Sequence, residues 1–155
     1  MRVRGIGKRL GAVVAAMIAA VALVPMAAGP AQAGANGTTG WTPQLSWMDS
    51  QEFVWRNIPT SNRDKKLSDC AIANGIACVA VGQGDGRHSI FHLFRCGDRT
   101  LANFIDALVV KNHQTGGVPV RFWGPNTYRE IPAHPTTLWG VPNSETYDFD
   151  HIRVC

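Results

Sequence analysis

Four cysteines do most to constrain how this 155-residue chain can fold. They are Cys70, Cys78, Cys96 and Cys155, and an even number of cysteines in an exported chain is typical of disulfide bonds. No two of them have the C-x₂₋₄-C spacing of a structural zinc site, so the sequence disfavours zinc. Their oxidation requires that the chain leave the cytoplasm.

The first 33 residues have the features of a secretory signal peptide. Four basic residues before position 10 precede an uncharged apolar run at 10–24. Ala31-Gln32-Ala33 then has the small-x-small pattern of a signal-peptide cleavage site. The run is shorter than the roughly 20 residues that a membrane span needs. We therefore expect cleavage after Ala33 and a secreted mature chain that is not held in a membrane.

Cleavage there would also change the charge. The whole chain has fifteen Lys and Arg against eleven Asp and Glu, a formal net charge of +4. The four basic residues of the leader make up this surplus, so the mature chain is neutral. It lacks the excess of basic side chains that is typical of nucleic-acid or anionic-membrane binding, and we expect neither partner.

Four cysteines allow three disulfide pairings, and we favour Cys70–Cys78 with Cys96–Cys155. The first bond would close a short loop around Asn74-Gly75, a pair that favours a tight turn. The second would hold the C-terminus against the core. In the loop-entropy description the two bonds would stabilise the fold by about 2.6 and about 4.3 kcal/mol.

The hydrophobic pattern predicts one β-rich domain at 41–155 after a disordered start at 34–40. Short strands broken by Gly and Pro recur about every ten residues, which is typical of a β-sandwich or Greek key. One short N-terminal helix is expected at 46–57 and a charged loop at 60–69. Residues 101–110 fit either a helical turn with a strand or two strands. The other expected strands are 77–81, 89–96, 118–123, 128–131, 138–141 and 147–154.

Motifs for metal or nucleophilic chemistry are weak. His88 and His92 share a strand face about 13 Å apart, too far to hold one ion, and we expect them to be exposed sheet histidines. Asp148 and Asp150 lack the glycine-containing loop of a calcium site. We expect no metal and no cofactor. There is no G-x-S-x-G motif, and oxidised cysteines provide no thiolate nucleophile.

An alternative is a small secreted hydrolase, such as a ribonuclease or an antibacterial toxin. Such an enzyme uses a general base, a general acid and a guanidinium on the phosphate. His113, Arg121, Glu130 and His134 supply these side-chain types, although the sequence does not fix their geometry. The neutral mature chain counts against a nucleic-acid substrate, so we rank this alternative second.

A rigid binding surface is the interpretation that we favour. A protease inhibitor presents a stiff loop, because preorganisation lowers the entropy cost of binding. The candidate contacts are Cys78 and Val79, beside the loop that the first disulfide closes, and Trp123 and Tyr128, which flank a Gly-Pro-Asn turn.

A family resemblance supports the same interpretation. It lies in Cys78-Val-Ala-Val, in Ile90-Phe-His-Leu-Phe-Arg-Cys96-Gly, in Leu101-Ala-Asn-Phe and in Asn112-His-Gln-Thr-Gly-Gly-Val-Pro-Val-Arg-Phe. Together these segments resemble small exported actinobacterial proteins of the βγ-crystallin-like class, which includes secreted microbial metalloproteinase inhibitors. The crystallin-type calcium motif is absent. The resemblance implies a βγ-crystallin-like Greek-key sandwich first, and inhibition of an extracellular protease second. We expect a monomer whose partner is a protein.

Overall fold

The computed structural model describes residues 40–155. The predicted signal peptide and all but the last residue of the expected disordered start lie outside the described residues. The described part is mostly β-structure, with ten strands and two helices. In chain order the elements are β1 Gln44–Leu45, β2 Phe53–Pro59, α1 Thr60–Cys70, β3 Ile76–Gly82, β4 Arg87–Leu93, β5 Gly97–Ala102, β6 Leu108–His113, a 3₁₀ turn at Thr115–Gly117, β7 Val120–Trp123, β8 Tyr128–Ile131, β9 Trp139–Val141, α2 Asn143–Thr146 and β10 His151–Val154.

The strands form two antiparallel sheets of five strands each. One sheet has the order β2-β4-β3-β6-β9, and the other has the order β1-β5-β10-β7-β8. Every second residue along the strands of each sheet faces the other sheet, and these residues together form one apolar core, as in a β-sandwich. Its central members are Val79, Phe91, Val110, Phe122 and Ile152.

The first sheet is covered on both faces, and we call it the covered sheet. The residues of β3 that point away from the sandwich core, Cys78 and Ala80, pack with Leu67 and Cys70 of α1. Burial on both faces explains why β3 is apolar along its whole length instead of alternating. The other sheet alternates between buried and more exposed residues, as β7 illustrates, and we call it the open sheet.

The two disulfides pair as predicted. Cys70–Cys78 joins α1 to β3 across a sequence separation of 8, and Cys96–Cys155 joins the start of β5 to the end of β10 across a separation of 59. One bond therefore lies in the covered half of the sandwich and the other at the open sheet. Disulfides persist in oxidising surroundings, so both bonds suggest a compartment other than the cytoplasm.

A buried ion pair connects the two sheets. Arg99 in β5 donates to both carboxylate oxygens of Glu52, which precedes β2, at 2.8 and 3.0 Å. The same carboxylate accepts the backbone N–H groups of Phe94 and Arg95 at 2.9 Å. Both charged side chains are fully buried. Nη2 makes all the hydrogen bonds of Arg99 within 40–155, Nε and Nη1 are buried without a partner, and the guanidinium lies over the Trp47 ring.

The predicted N-terminal helix is in the wrong place. Most of 46–57 is turn and strand, because Phe53, Val54 and Trp55 pair with β4, which supplies backbone hydrogen bonds and apolar contacts that an isolated short helix would lack. The segment predicted as a charged loop at 60–69 instead forms α1. This helix buries only Leu67 and Cys70, so its sequence carries little helical periodicity.

Most of the predicted strands are confirmed with small shifts. The hairpin of β3 and β4 turns through Gly84 and Gly86, which both have positive φ values and so favour glycine. The ambiguous segment at 101–110 contributes to two strands, β5 and β6. The predicted strand at 147–154 is too long, because 147–150 is a turn that follows α2 and only His151–Val154 is β10.

Neither helix within 40–155 combines the length and the apolar character that a membrane crossing requires.

Candidate functional site

The outer face of the open sheet brings together polar and aromatic side chains from four neighbouring strands. The strand register places them in two adjacent rows. The aromatic row runs across the sheet as Thr100, His151, Trp123 and Tyr128. The charged row runs beside it as Asp98, Arg153, Arg121 and Glu130. We call these eight residues the outer platform.

Alternation along each strand creates the platform. In β7, Val120 and Phe122 are buried in the core, so the side chains between and after them, Arg121 and Trp123, point outward. The same period of two in β10 buries Ile152 and Val154. It turns His151 and Arg153 outward beside their partners in β7.

The aromatic row contains a stacked pair and an exposed ring. His151 lies parallel to Trp123, with the ring centroids 5.1 Å apart and an interplanar angle of 6°. Asp150 lies 2.5 Å from Nδ1 of the same imidazole and fixes its orientation. Tyr128 is 60% exposed, which is high for a large aromatic side chain. A large rigid contact area is therefore available to a partner.

The charged row has positive charge at its centre and negative charge at both ends. Arg153 pairs with Asp98 through both Nε and Nη2. Arg121 donates from Nε to Oε1 of Glu130 at 2.6 Å. Arg121 and Arg153 are directly opposite each other across β7 and β10, so two like charges are neighbours at the centre of the row.

Hydrogen bonds keep the two carboxylates of the charged row ionised and the Tyr128 hydroxyl protonated. The Arg121 guanidinium, followed by the Tyr128 hydroxyl at 2.8 Å, lowers the pKa of Glu130. The hydrogen bond to Glu130 raises the pKa of Tyr128, and the bond from Arg153 lowers the pKa of Asp98. Glu130 is thus held as a carboxylate at neutral pH and is poorly suited to act as a general acid.

The turn between β7 and β8 is held firmly at the edge of the platform. The Gly124 N–H donates to Thr127 O at 2.9 Å. Asp148 accepts the backbone N–H of Asn126 at 2.8 Å and its side-chain amide at 3.2 Å. These bonds lower the pKa of Asp148, with the backbone bond from Asn126 the largest cause. The turn therefore has a defined shape before any partner arrives.

A shallow depression of about 320 Å³ lies within the platform. It is lined by Arg121, Trp123, Tyr128 and Arg153. Two of these, Trp123 and Tyr128, were predicted from sequence as binding residues. The other two predicted contacts must be corrected. Cys78 and Val79 lie in β3 with 0 and 1% exposure, because that strand is covered on both faces, so neither can touch a partner.

The four residues of the hydrolase alternative divide into three places. Arg121 and Glu130 meet on the platform. His113, in the covered sheet, donates from Nδ1 to Ala71 O at 2.8 Å. His134 lies in a loop and shares a hydrogen bond with the Thr137 hydroxyl at 2.8 Å. Within 40–155, neither histidine hydrogen-bonds to Arg121 or Glu130, so the structure does not assemble the base, acid and guanidinium together.

The histidines of β4 do not match the exposed positions expected for them. His88 is only 4% exposed, because its strand face is turned towards α1, and His92 is half-buried beside Phe53. Burial lowers the pKa of both imidazoles. Across the described part of the chain, no three His, Cys, Asp or Glu side chains are grouped so that they could hold a metal ion.

Sequence reasoning missed Asp98 and Arg153 as platform residues. The alternation of His151 and Arg153 was visible, and so was that of Arg121 and Trp123. Nothing in the sequence shows that β10 inserts between β5 and β7, which is what makes these residues neighbours.

Comparisons with family models, with curated proteins and with solved structures found no match to this chain.

Proposed function

We propose that this protein is a secreted, disulfide-stabilised binding protein that holds another protein against the outer platform. Inhibition of an extracellular protease is the specific form that we rank first. One observation carries the proposal: Trp123, Tyr128, Arg121 and Arg153 surround a single open depression. Trp, Tyr and Arg are the residues that most often dominate the binding energy of protein interfaces.

Rigidity supports this proposal. The strands on both sides of the β7–β8 turn are paired, and Asp148 holds the turn through Asn126. A surface that is already ordered loses little conformational entropy on binding, and inhibitors exploit this advantage. The disulfide Cys96–Cys155 lies at the ends of β5 and β10, the strands that carry Asp98 and Arg153.

A βγ-crystallin-like Greek-key fold is part of the same proposal. Two antiparallel sheets around a shared core, together with two disulfides, support it. The leader-like N-terminus and the oxidised cysteines support secretion.

A protease panel tests the function. The oxidised chain beginning at residue 34 is titrated against metallo-, serine and cysteine proteases, and residual activity and direct binding by calorimetry are measured. We expect stoichiometric inhibition of at least one class. The double variant Trp123→Ala/Tyr128→Ala should weaken binding by about a hundredfold, because each ring is a large contact.

Ile72→Ser is the matched control, because Ile72 is an exposed apolar residue that follows α1 in the other layer. It should bind as the unaltered protein does. Absence of inhibition and of binding across the panel would refute the proposal. So would equal loss of affinity in the platform variant and in the control.

An RNA-cleavage assay run beside the panel addresses the hydrolase alternative. Arg121 and Glu130 are the part of that alternative that the fold brings together, at 2.6 Å. Cleavage that disappears in Glu130→Gln would replace the binding proposal with an enzymatic one.

A further inference from the structure

We propose that the paired guanidiniums at the centre of the outer platform bind a single carboxylate, presented by an acidic side chain in an exposed segment of the partner protein. This inference rests on the proposed function, which it deepens by naming the chemistry of the partner.

The first step is the geometry of the charged row. Directly opposed residues of antiparallel strands have Cβ atoms about 5 Å apart, and like charges in that arrangement repel. Arg121 and Arg153 occupy such a position. Each has one carboxylate partner, and both partners, Glu130 and Asp98, lie on the outer sides of the pair. The space between the two guanidiniums is where an added negative charge is most stabilised.

The second step is the count of free donors. A guanidinium has five N–H groups. Among the described residues, Arg121 donates from Nε to Glu130 and also faces the Tyr128 hydroxyl, and Arg153 donates from Nε and Nη2 to Asp98. Nη1 of Arg153 makes no hydrogen bond within 40–155, and Arg121 has further N–H groups beyond those two partners. The side chains are 31 and 47% exposed, so a partner can reach these nitrogens.

The third step is the shape of the surroundings. The depression that contains both guanidiniums is also walled by Trp123 and Tyr128. Apolar ring surfaces beside a guanidinium favour an anion that is carried on a short apolar stem, because the stem can pack against the rings. Aspartate and glutamate side chains have this form, and their two planar oxygens match the fork of a guanidinium.

Charge distinguishes a carboxylate from a phosphate at this site. The two arginines are already faced by Asp98 and Glu130, and Asp150 lies beside His151, so the surroundings have no surplus of positive charge. These carboxylates oppose a doubly charged phosphate more strongly than they oppose a single carboxylate. Recognition of the carboxylate therefore depends on the guanidinium N–H groups that are free to donate, not on net attraction.

The test uses small probes on the oxidised chain beginning at residue 34. Chemical shifts of the Trp123 indole N–H and the arginine Nε–H groups are followed during titration with N-acetylglutamate N-methylamide. The matched neutral probe is the glutamine analogue, and further arms use glucuronate and inorganic phosphate. We expect saturable shifts with the glutamate probe that weaken as salt is added, and no saturation with the glutamine analogue.

Variants assign the site. Arg121→Gln and Arg153→Gln should each weaken binding of the glutamate probe by about tenfold or more. Arg95→Gln is the control, because Arg95 is also an exposed arginine paired with one aspartate, Asp49, but lies outside the platform. A well-dispersed spectrum and an unchanged melting temperature establish that each variant is folded.

The outcomes separate this inference from the function on which it rests. Equal binding of the glutamine analogue, or no effect of either arginine variant, overturns it. So does tighter binding of glucuronate or of phosphate, which would indicate a glycan or a phosphorylated partner. If a protease is inhibited equally by the unaltered protein and by Arg121→Gln/Arg153→Gln, the inference fails while the proposed function stands. If the glutamate probe binds as expected and no protease is inhibited, the carboxylate site stands and the inhibitor function fails.

Discussion

The two sheets of this sandwich have the same number of strands and opposite surroundings. The covered sheet has the core on one face and α1 on the other, whereas the open sheet has the core on one face and the outer platform on the other. Both faces of β3 are buried, so packing alone determines which residues this strand contains. In β7, only every second residue is needed for packing, and the residues between are available for function.

This difference explains where binding can occur. Cys78 and Val79, predicted as contacts because they adjoin a disulfide-closed loop, lie in a central strand that is buried on both faces. Trp123 and Tyr128 lie in strands that have one free face. A short loop sealed by a disulfide is therefore a poor guide to an interaction surface unless the neighbouring layer is known.

The disulfides give the largest expected contrast between the two halves. Replacing Cys96 and Cys155 by alanine should lower the free energy of unfolding by about 4.3 kcal/mol, and replacing Cys70 and Cys78 by about 2.6 kcal/mol, because the longer loop restricts the unfolded chain more. Guanidinium denaturation followed by circular dichroism measures both values. The reverse order would show that the covered half depends more on its bond than loop length suggests.

Leu67→Ala tests whether α1 is an integral layer of the covered sheet. Leu67 is fully buried in the cluster between α1 and β3, so its truncation should cost about 3 kcal/mol. Ile72→Ala, at 73% exposure just beyond the same helix, should change stability by less than about 0.5 kcal/mol. Similar small losses from both variants in urea titrations would mean that the helix is only loosely attached.

Acid should weaken the covered sheet through His88. Burial, and secondly the nearby charge of Arg63, lowers its folded-state pKa, while Asp106 and Asp64 act in the opposite direction. A lowered histidine pKa means that the unfolded chain binds the proton more readily. The free energy of unfolding therefore has its full value above about pH 6.5, the pKa of histidine in the unfolded chain. Below that pH it falls by about 1.4 kcal/mol per pH unit until the pKa of His88 in the folded protein is passed.

Unfolding free energies measured from pH 7.5 to 4.5 check this expectation. His88→Phe should flatten the dependence. A steeper loss in His88→Phe, or an identical curve, would rule out His88 as the group that titrates.

A small effect on stability is also expected at the platform. Tyr128→Ala should cost less than about 1 kcal/mol, because the ring is mostly exposed and its hydroxyl bond to Glu130 is at the surface. Thermal melts in parallel with the binding assay measure this. A large loss of stability would show that the aromatic row supports the sheet, which would weaken its assignment to binding.

Local patterns in the sequence were enough for most of the strands from β3 onward, and they favoured the disulfide pairing that the structure has. Glycine pairs with positive φ mark the β3–β4 turn, and apolar alternation marks β7. Pairing over long distances could not be predicted in the same way. Phe53 and Trp55 are two residues apart, the spacing of a strand face, but the strand that pairs with them, β4, lies more than thirty residues further along the chain. Helix α1 was missed because just two of its residues are buried.

The residues of the candidate site also include some that are close in sequence and some that only long-range strand pairing brings together. Trp123, Tyr128, Arg121 and Glu130 all come from one hairpin, so local sequence placed them together, although it assigned them to two different hypotheses. Arg153 and Asp98 join them through a strand order in which residues from the end of the chain lie between β5 and β7. No local pattern encodes that insertion.

The position of β10 also bears on the order in which the two sheets can form. Its residues, 151–154, follow every other strand of 40–155 in the sequence, yet they occupy the middle of the open sheet. The strands of the covered sheet all lie before residue 142, whereas β5 and β7 have no partner between them until residues 151–154 are in place. Removal of residues 151–155 would therefore take away the centre of the open sheet and its covalent anchor at Cys155, while every strand of the covered sheet would remain.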